Sequence, residues 1–76
     1  MAERCLAITG AASTAMLLRV INLLAVHDLP LRSLEAEMAQ DDLRIRIGFL
    51  APAEKPIDMV VERLRAFVEV SDVELC

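Results

Sequence analysis

A reaction site needs a nucleophile beside a base, carboxylates of separated acidity, or metal ligands with an open position, and few residues of this chain fit those roles. His27 is the sole histidine, and it shares no metal-ligand spacing with Cys5 and Cys76, the two cysteines. It closes a helical stretch, where its cationic form suits the dipole. Asp41-Asp42 resembles a metal pair only in isolation. Two acids between alternating segments are turn residues first. Glu35, Glu37, Arg44 and Arg46 form a cross-strand charge lattice on one sheet face, which solvent or a partner can cover. Gly10-Ala11-Ala12-Ser13 is the feature with functional colour. A strand ending in Gly and passing straight into a helix offers free backbone N–H groups and a partial positive charge to a small carboxylate. A tight turn that needs Gly is the plainer account. None of this is catalytic equipment, so the chain acts by binding.

The elements that position these residues follow from alternation and period. Arg4 to Thr9 is a short apolar run closed by Gly10, a first strand. Ser13 then caps a helix from Thr14 to about His27. On its wheel Leu17, Val20, Ile21 and Leu24 form the inward stripe, Ala15, Arg19, Asn22 and Val26 point away, and Leu18 and Leu23 flank the outward side. That side is not very polar, which calls for a second contact. Pro30 ends the helix by pushing Leu29 out of the α region. Leu31 to Ala39 alternates as a half-buried strand with Leu34, Ala36 and Met38 on one face. Leu43 to Leu50 alternates likewise. A two-residue loop at Asp41-Asp42 sets Met38 opposite Ile45, Ala36 opposite Ile47, Leu34 opposite Phe49 and Glu37 opposite Arg46.

Ala51 to Lys55 reads as a loop, with Pro56 opening a second helix from Ile57 to about Phe67. Ile57, Val60, Val61, Leu64 and Val68 are its apolar face, and Asp58 and Arg65 suit its dipole. Val70 to Leu75 is a fourth strand. The order βαββαβ predicts an α+β, ferredoxin-like single domain over residues 1–76, a four-stranded antiparallel sheet with two helices on one face. Right-handed crossovers order the strands fourth, first, third, second. The second strand is then an exposed edge that invites pairing with another copy. The first and fourth strands are neighbours, so the two sulfurs could lie near each other. A reducing cytosol keeps thiols free and a small apolar role suffices for Cys5, so the expectation is no bridge.

Composition narrows the partner. The 76 residues are 57% apolar but 3% aromatic, more aliphatic surface than one small core absorbs. Domains of this size draw only about 3–5 kcal/mol from their cores and lean on disulfides, metals or association. With eight basic residues, twelve acidic ones and a net charge of −4, unclustered, nucleic acid is excluded as a ligand. Ala15 to Val26 is too short to span a bilayer, and the first residues lack the pattern of a signal peptide. A cytoplasmic protein with no membrane contact is the expectation.

Three stretches carry a family resemblance: Leu18-Arg19-Val20-Ile21-Asn22-Leu23-Leu24, Leu31-Arg32-Ser33-Leu34, and Leu64-Arg65-Ala66-Phe67-Val68-Glu69-Val70 with Val73 and Cys76. Together they resemble an ACT domain, most of all the small regulatory subunits of acetohydroxyacid synthase (acetolactate synthase). The resemblance implies a non-catalytic regulatory subunit that binds and activates the catalytic large subunit in branched-chain amino-acid biosynthesis. Thiamine diphosphate, flavin and Mg²⁺ would belong to that large chain, and this one would hold no cofactor. It further implies a homodimer through the second-strand edge and first helix, with Leu18, Arg19, Asn22, Leu23, Val26, Leu31, Ser33 and Glu35 at the partner interface. In ligand-sensing members an Asn-x-Pro-Gly-like turn holds an amino-acid effector. Ala12, Ser13, Thr14 and Ala15 stand there instead, so Gly10, Ala11, Ala12, Ser13 and Thr14 are candidate effector contacts. That departure makes the chain more similar to the compact, valine-insensitive small subunits. The alternative is a free-standing amino-acid sensor acting on another enzyme.

Overall fold

The computed structural model describes residues 2–52 and 56–76. Its element order is β1 (Ala2–Ala11), α1 (Thr14–Val26), β2 (Leu31–Ala39), β3 (Asp42–Ala51), α2 (Asp58–Arg65) and β4 (Val70–Leu75). One antiparallel sheet has the order β2-β3-β1-β4, the βαββαβ arrangement expected from the alternation. Leu6, Ile8, Leu43, Ile45, Ile47, Phe49, Ala51 and Val73 turn one sheet face toward Met16, Val20, Leu23 and Leu24 of α1 and Val60 and Leu64 of α2. All of them belong to one buried cluster.

Local chemistry sets the ends of α1. Ser13 is extended at φ −143°, and its hydroxyl accepts a bond from Met16 N–H at 3.4 Å. At the other end Asp28 adopts φ 55°, its N–H donates to Ala25 O, and Leu29 N–H donates to Leu24 O at 3.0 Å. This is a Schellman closure with aspartate in the left-handed position and Leu29 buried against the core. The helix therefore ends at Val26, four residues before Pro30.

Several expectations need correction. The hairpin loop is Gln40-Asp41, with Gln40 at φ 56°, so Met38 faces Leu43, Ala36 faces Ile45, Leu34 faces Ile47 and Glu37 faces Arg44. The register is two residues from the expected one, which leaves every side chain on its expected face. β2 is not half-buried: Leu31 through Met38 are all exposed, because α1 and α2 cover the sheet only as far as β3. The inward stripe of α1 is rotated, with Met16 and Leu23 in the core and Leu17 and Ile21 only partly buried. Pro56 precedes Ile57, the residue before the first turn of α2, and that helix closes at Arg65. Val68 falls in the following turn and is 97% exposed. The expected loop at Ala51 to Lys55 begins with the last residue of β3, and its residues 53–55 lie outside the described residues. Lastly, Cys5 and Cys76 are bonded, with Cα atoms 5.3 Å apart. Neighbouring antiparallel strands supplied the distance, and the expectation failed on an assumed redox environment.

Candidate functional site

Three surfaces hold the residues singled out by sequence. The first is the passage from β1 to α1. Gly10 is buried within β1, where a Cβ would collide with the backbone oxygen of Glu69 and lie 2.5 Å from Met16 Sδ. Its φ is not positive. Glycine is needed there for close approach of another backbone, not for a turn dihedral. Ala11 N–H donates to Glu69 O at 2.8 Å and Ala12 N–H to Asp41 O at 3.1 Å. Two of the candidate effector contacts, Ala11 and Ala12, thus have their amides bonded to carbonyls of the protein, and the Ser13 hydroxyl is engaged in capping. The turn is exposed at Ala11, Ala12 and Thr14, while its Ala11 and Ala12 amides are bonded within the protein. Ser13→Ala is expected to cost about 1 kcal/mol, the value of a lost N-cap, read as a lowered midpoint in urea unfolding.

The second surface joins α1 to the outer edge of β2. Leu18, Asn22 and Val26 lie at i, i+4 and i+8 on one exposed helix face. Leu18 is 62% and Val26 67% exposed. Leu31 borders the same hollow as Ile21 and Ala25, which makes the helix and strand surfaces continuous. Leu34 and Met38 extend the apolar row along β2. Sequence reasoning did not foresee the exposure of these two because alternation marks which residues share a face but not whether a helix roofs them. Their place on an edge strand was the available signal. Leu23, expected to flank the outward side, packs in the core at 9% exposure. Arg19 is held by an ion pair to Glu69, Nη1 to Oε1 at 3.0 Å, which ties α1 to the turn before β4. Both groups meet solvent, so the pair adds little stability.

The third surface is the sheet face opposite the helices. Across it Glu35 stands opposite Arg46 and Glu37 opposite Arg44, with Ser33 beside Gly48 at a bulge that leaves Arg32 without a register partner. Cys5, Ala7 and Thr9 form a floor of small side chains along β1. The Cys5–Cys76 bridge lies at one end of it. His27 is the residue that closes α1, its backbone N–H donating to Leu23 O. Among the described residues no group of His, Cys, Asp and Glu is placed to hold a metal ion. Among them, too, no helix is long and apolar enough to cross a membrane.

No family model matches the chain, and no curated protein does. Solved structures do. The ACT domain of a GTP pyrophosphokinase from Chlorobium tepidum superposes with TM-score 0.79 at 16% identity, over 97% of this chain and 96% of that one. The C-terminal domain of the MgtC protein from Mycobacterium tuberculosis gives 0.80 at 15% identity, over 97% and 84%. The acetolactate synthase small subunit from Thermotoga maritima gives 0.79 at 18% identity. There the match spans 99% of this chain but 47% of that one, about half its length. At such identities the likeness establishes the fold, a ferredoxin-like sheet of the ACT type.

Proposed function

We propose that this ACT-type domain is a non-catalytic regulatory module that works as a dimer built on β2 and α1, and that its partner is the catalytic subunit of acetohydroxyacid synthase. The observation that carries the reading is the uncovered apolar strip of Leu18, Val26, Leu31, Leu34 and Met38. A second copy added antiparallel to β2 continues the sheet and places the two strips side by side.

Charge selects the register. Centring the pairing on Ala36 sets Glu35 against Glu37 of the other copy, and centring it on Glu35 sets that residue against itself. Centring on Leu34 pairs Ser33 with Glu35 of the second copy and puts the two Leu34 side chains in contact. Opposed carboxylates are unfavourable on adjacent strands, so the Leu34-centred register is the one proposed. The acetohydroxyacid synthase partner rests on the resemblance in α1 and in the segment from Leu64 to Cys76. The bonded amides of Ala11 and Ala12 favour this reading over a stand-alone amino-acid sensor.

The test is co-purification with the catalytic subunit and an assay of acetolactate formation with and without this chain, for wild type and Leu34→Lys. Wild type is expected to elute as a dimer, bind the large subunit and raise its activity. Leu34→Lys should elute as a monomer and lose most of the activation. Unchanged acetolactate formation on adding the wild-type chain counts against the partner, and a wild-type monomer counts against the interface. Tight binding of a branched-chain amino acid in calorimetry would favour the sensor.

A further inference from the structure

The Cys5–Cys76 bridge is accessible without unfolding: Cys76 is exposed and Cys5 half-buried, on the face of the sheet that no helix covers. Beside it opens a hollow of about 380 Å³ lined by both cysteines together with Glu3, Ser33, Arg46 and Gly48. Gly48 contributes no side chain to fill the space, and Arg46 brings a guanidinium to it. A nearby cation stabilises a thiolate, both an attacking one and a departing one. The segment that the bridge holds is otherwise lightly attached. Val73 is the last residue of β4 in the core, at 1% exposure, whereas Leu75 is 57% exposed. Upstream, β4 has its own ties, Ser71 Oγ donating to Thr9 O and Arg65 Nη2 to Val73 O. Beyond Val73 there remain the ladder pairing to β1, one bond from Cys76 N–H to Cys5 O at 3.2 Å, and the two sulfurs.

We infer that the bridge is a thiol–disulfide exchange site, opened by a dithiol that enters the hollow beside Gly48, and that opening it releases residues 74–76 from β1. A thiolate of the dithiol bonds to Sγ of Cys76. The sulfur–sulfur bond breaks, and its electron pair leaves on Sγ of Cys5, which takes a proton from water. The second thiol of the reductant then loses its proton and displaces Cys76 Sγ. The reductant departs as a disulfide, having delivered two electrons to the protein. On that side β1 already lacks a strand partner at Ala2–Arg4 among the described residues, since its register with β4 ends at Leu6 and Leu75. Release lengthens this open edge through Ala7, the register partner of Glu74, a strip on which another extended segment can pair.

The folded protein, treated with dithiothreitol without denaturant and quenched by alkylation, should take up two alkyl groups per chain by intact mass. Hydrogen exchange should then show the amides of Glu74 and Cys76, which face β1, losing about 10-fold or more in protection while Ile45 and Ile47 in β3 keep theirs. The double variant Cys5→Ser/Cys76→Ser should reproduce that pattern without reductant. Arg46→Glu should slow reduction by about 3- to 10-fold, the effect of reversing a nearby charge in screened solvent. Alkylation only in denaturant, two free thiols in protein prepared in air, wild-type kinetics in Arg46→Glu, or loss of protection in β3 together with β4 would each overturn the inference.

Discussion

Phe49→Ala is expected to cost about 3–5 kcal/mol, as much as the ~3–5 kcal/mol that the core of so small a domain supplies. Phe49 is fully buried in β3, between Arg4 on β1 and Leu31 on β2 in the sheet register, beneath the helices. The rest of the core is aliphatic apart from Met16. β3 lies between two strands that cannot collapse toward it without breaking their ladders. Urea unfolding followed by circular dichroism should show a variant already partly unfolded without denaturant. Val68→Ala is the control. That side chain is 97% exposed, and its loss should shift the midpoint by no more than about 0.5 kcal/mol. A Phe49→Ala protein as stable as the control would mean that the core is not where these strands place it.

The second large effect is expected at Gly10. Gly10→Ala adds a single methyl group, yet that carbon meets the carbonyl oxygen of Glu69 and the sulfur of Met16. The sulfur can rotate away. The carbonyl cannot, because it is bonded to Ala11 N–H and belongs to the turn that leads into β4. Relief requires β1 and that turn to separate, which disturbs the join of β4 to the sheet, so the cost should reach about 3 kcal/mol, the upper range for overpacking. Gly48→Ala makes the comparison sharp. Its Cβ would lie 2.6 Å from Ser33 Oγ, a small side chain on an exposed edge strand that can change rotamer. Thermal unfolding of the two variants should therefore separate them clearly, with Gly10→Ala the less stable. Equal melting temperatures would remove the argument that Gly10 is there for backbone approach.

What the sequence made legible has a common physical basis. Alternation reports side-chain parity, and parity placed Leu43, Ile45, Ile47 and Phe49 against the helices and Glu35, Glu37, Arg44 and Arg46 on the other face. Parity is blind to a shift of two. The register consequently depended on which residue takes the positive φ of the turn, and Gln40, a residue with no strong preference for it, does so. Helical period carried the apolar face of α2 on to Val68, because a period does not say where the hydrogen-bond ladder ends. The exposure of Leu34 and Met38 is a matter of how far two helices reach across a sheet, which no single strand encodes. The candidate effector turn was legible as Gly10 to Thr14, but the partners of its amides are Asp41 and Glu69, remote in sequence. Their geometry emerges only when the sheet is assembled.

Because Cys5 and Cys76 are joined across 71 positions, the backbone from Cys5 to Cys76 is a closed ring. A ring has no privileged point at which it comes apart. A cut in the exposed Gln40-Asp41 turn leaves the two βαβ halves covalently tethered, each present to the other at the concentration of a short leash and not that of the bulk solution. Re-closure of such a nicked domain stays unimolecular for as long as the sulfurs remain bonded.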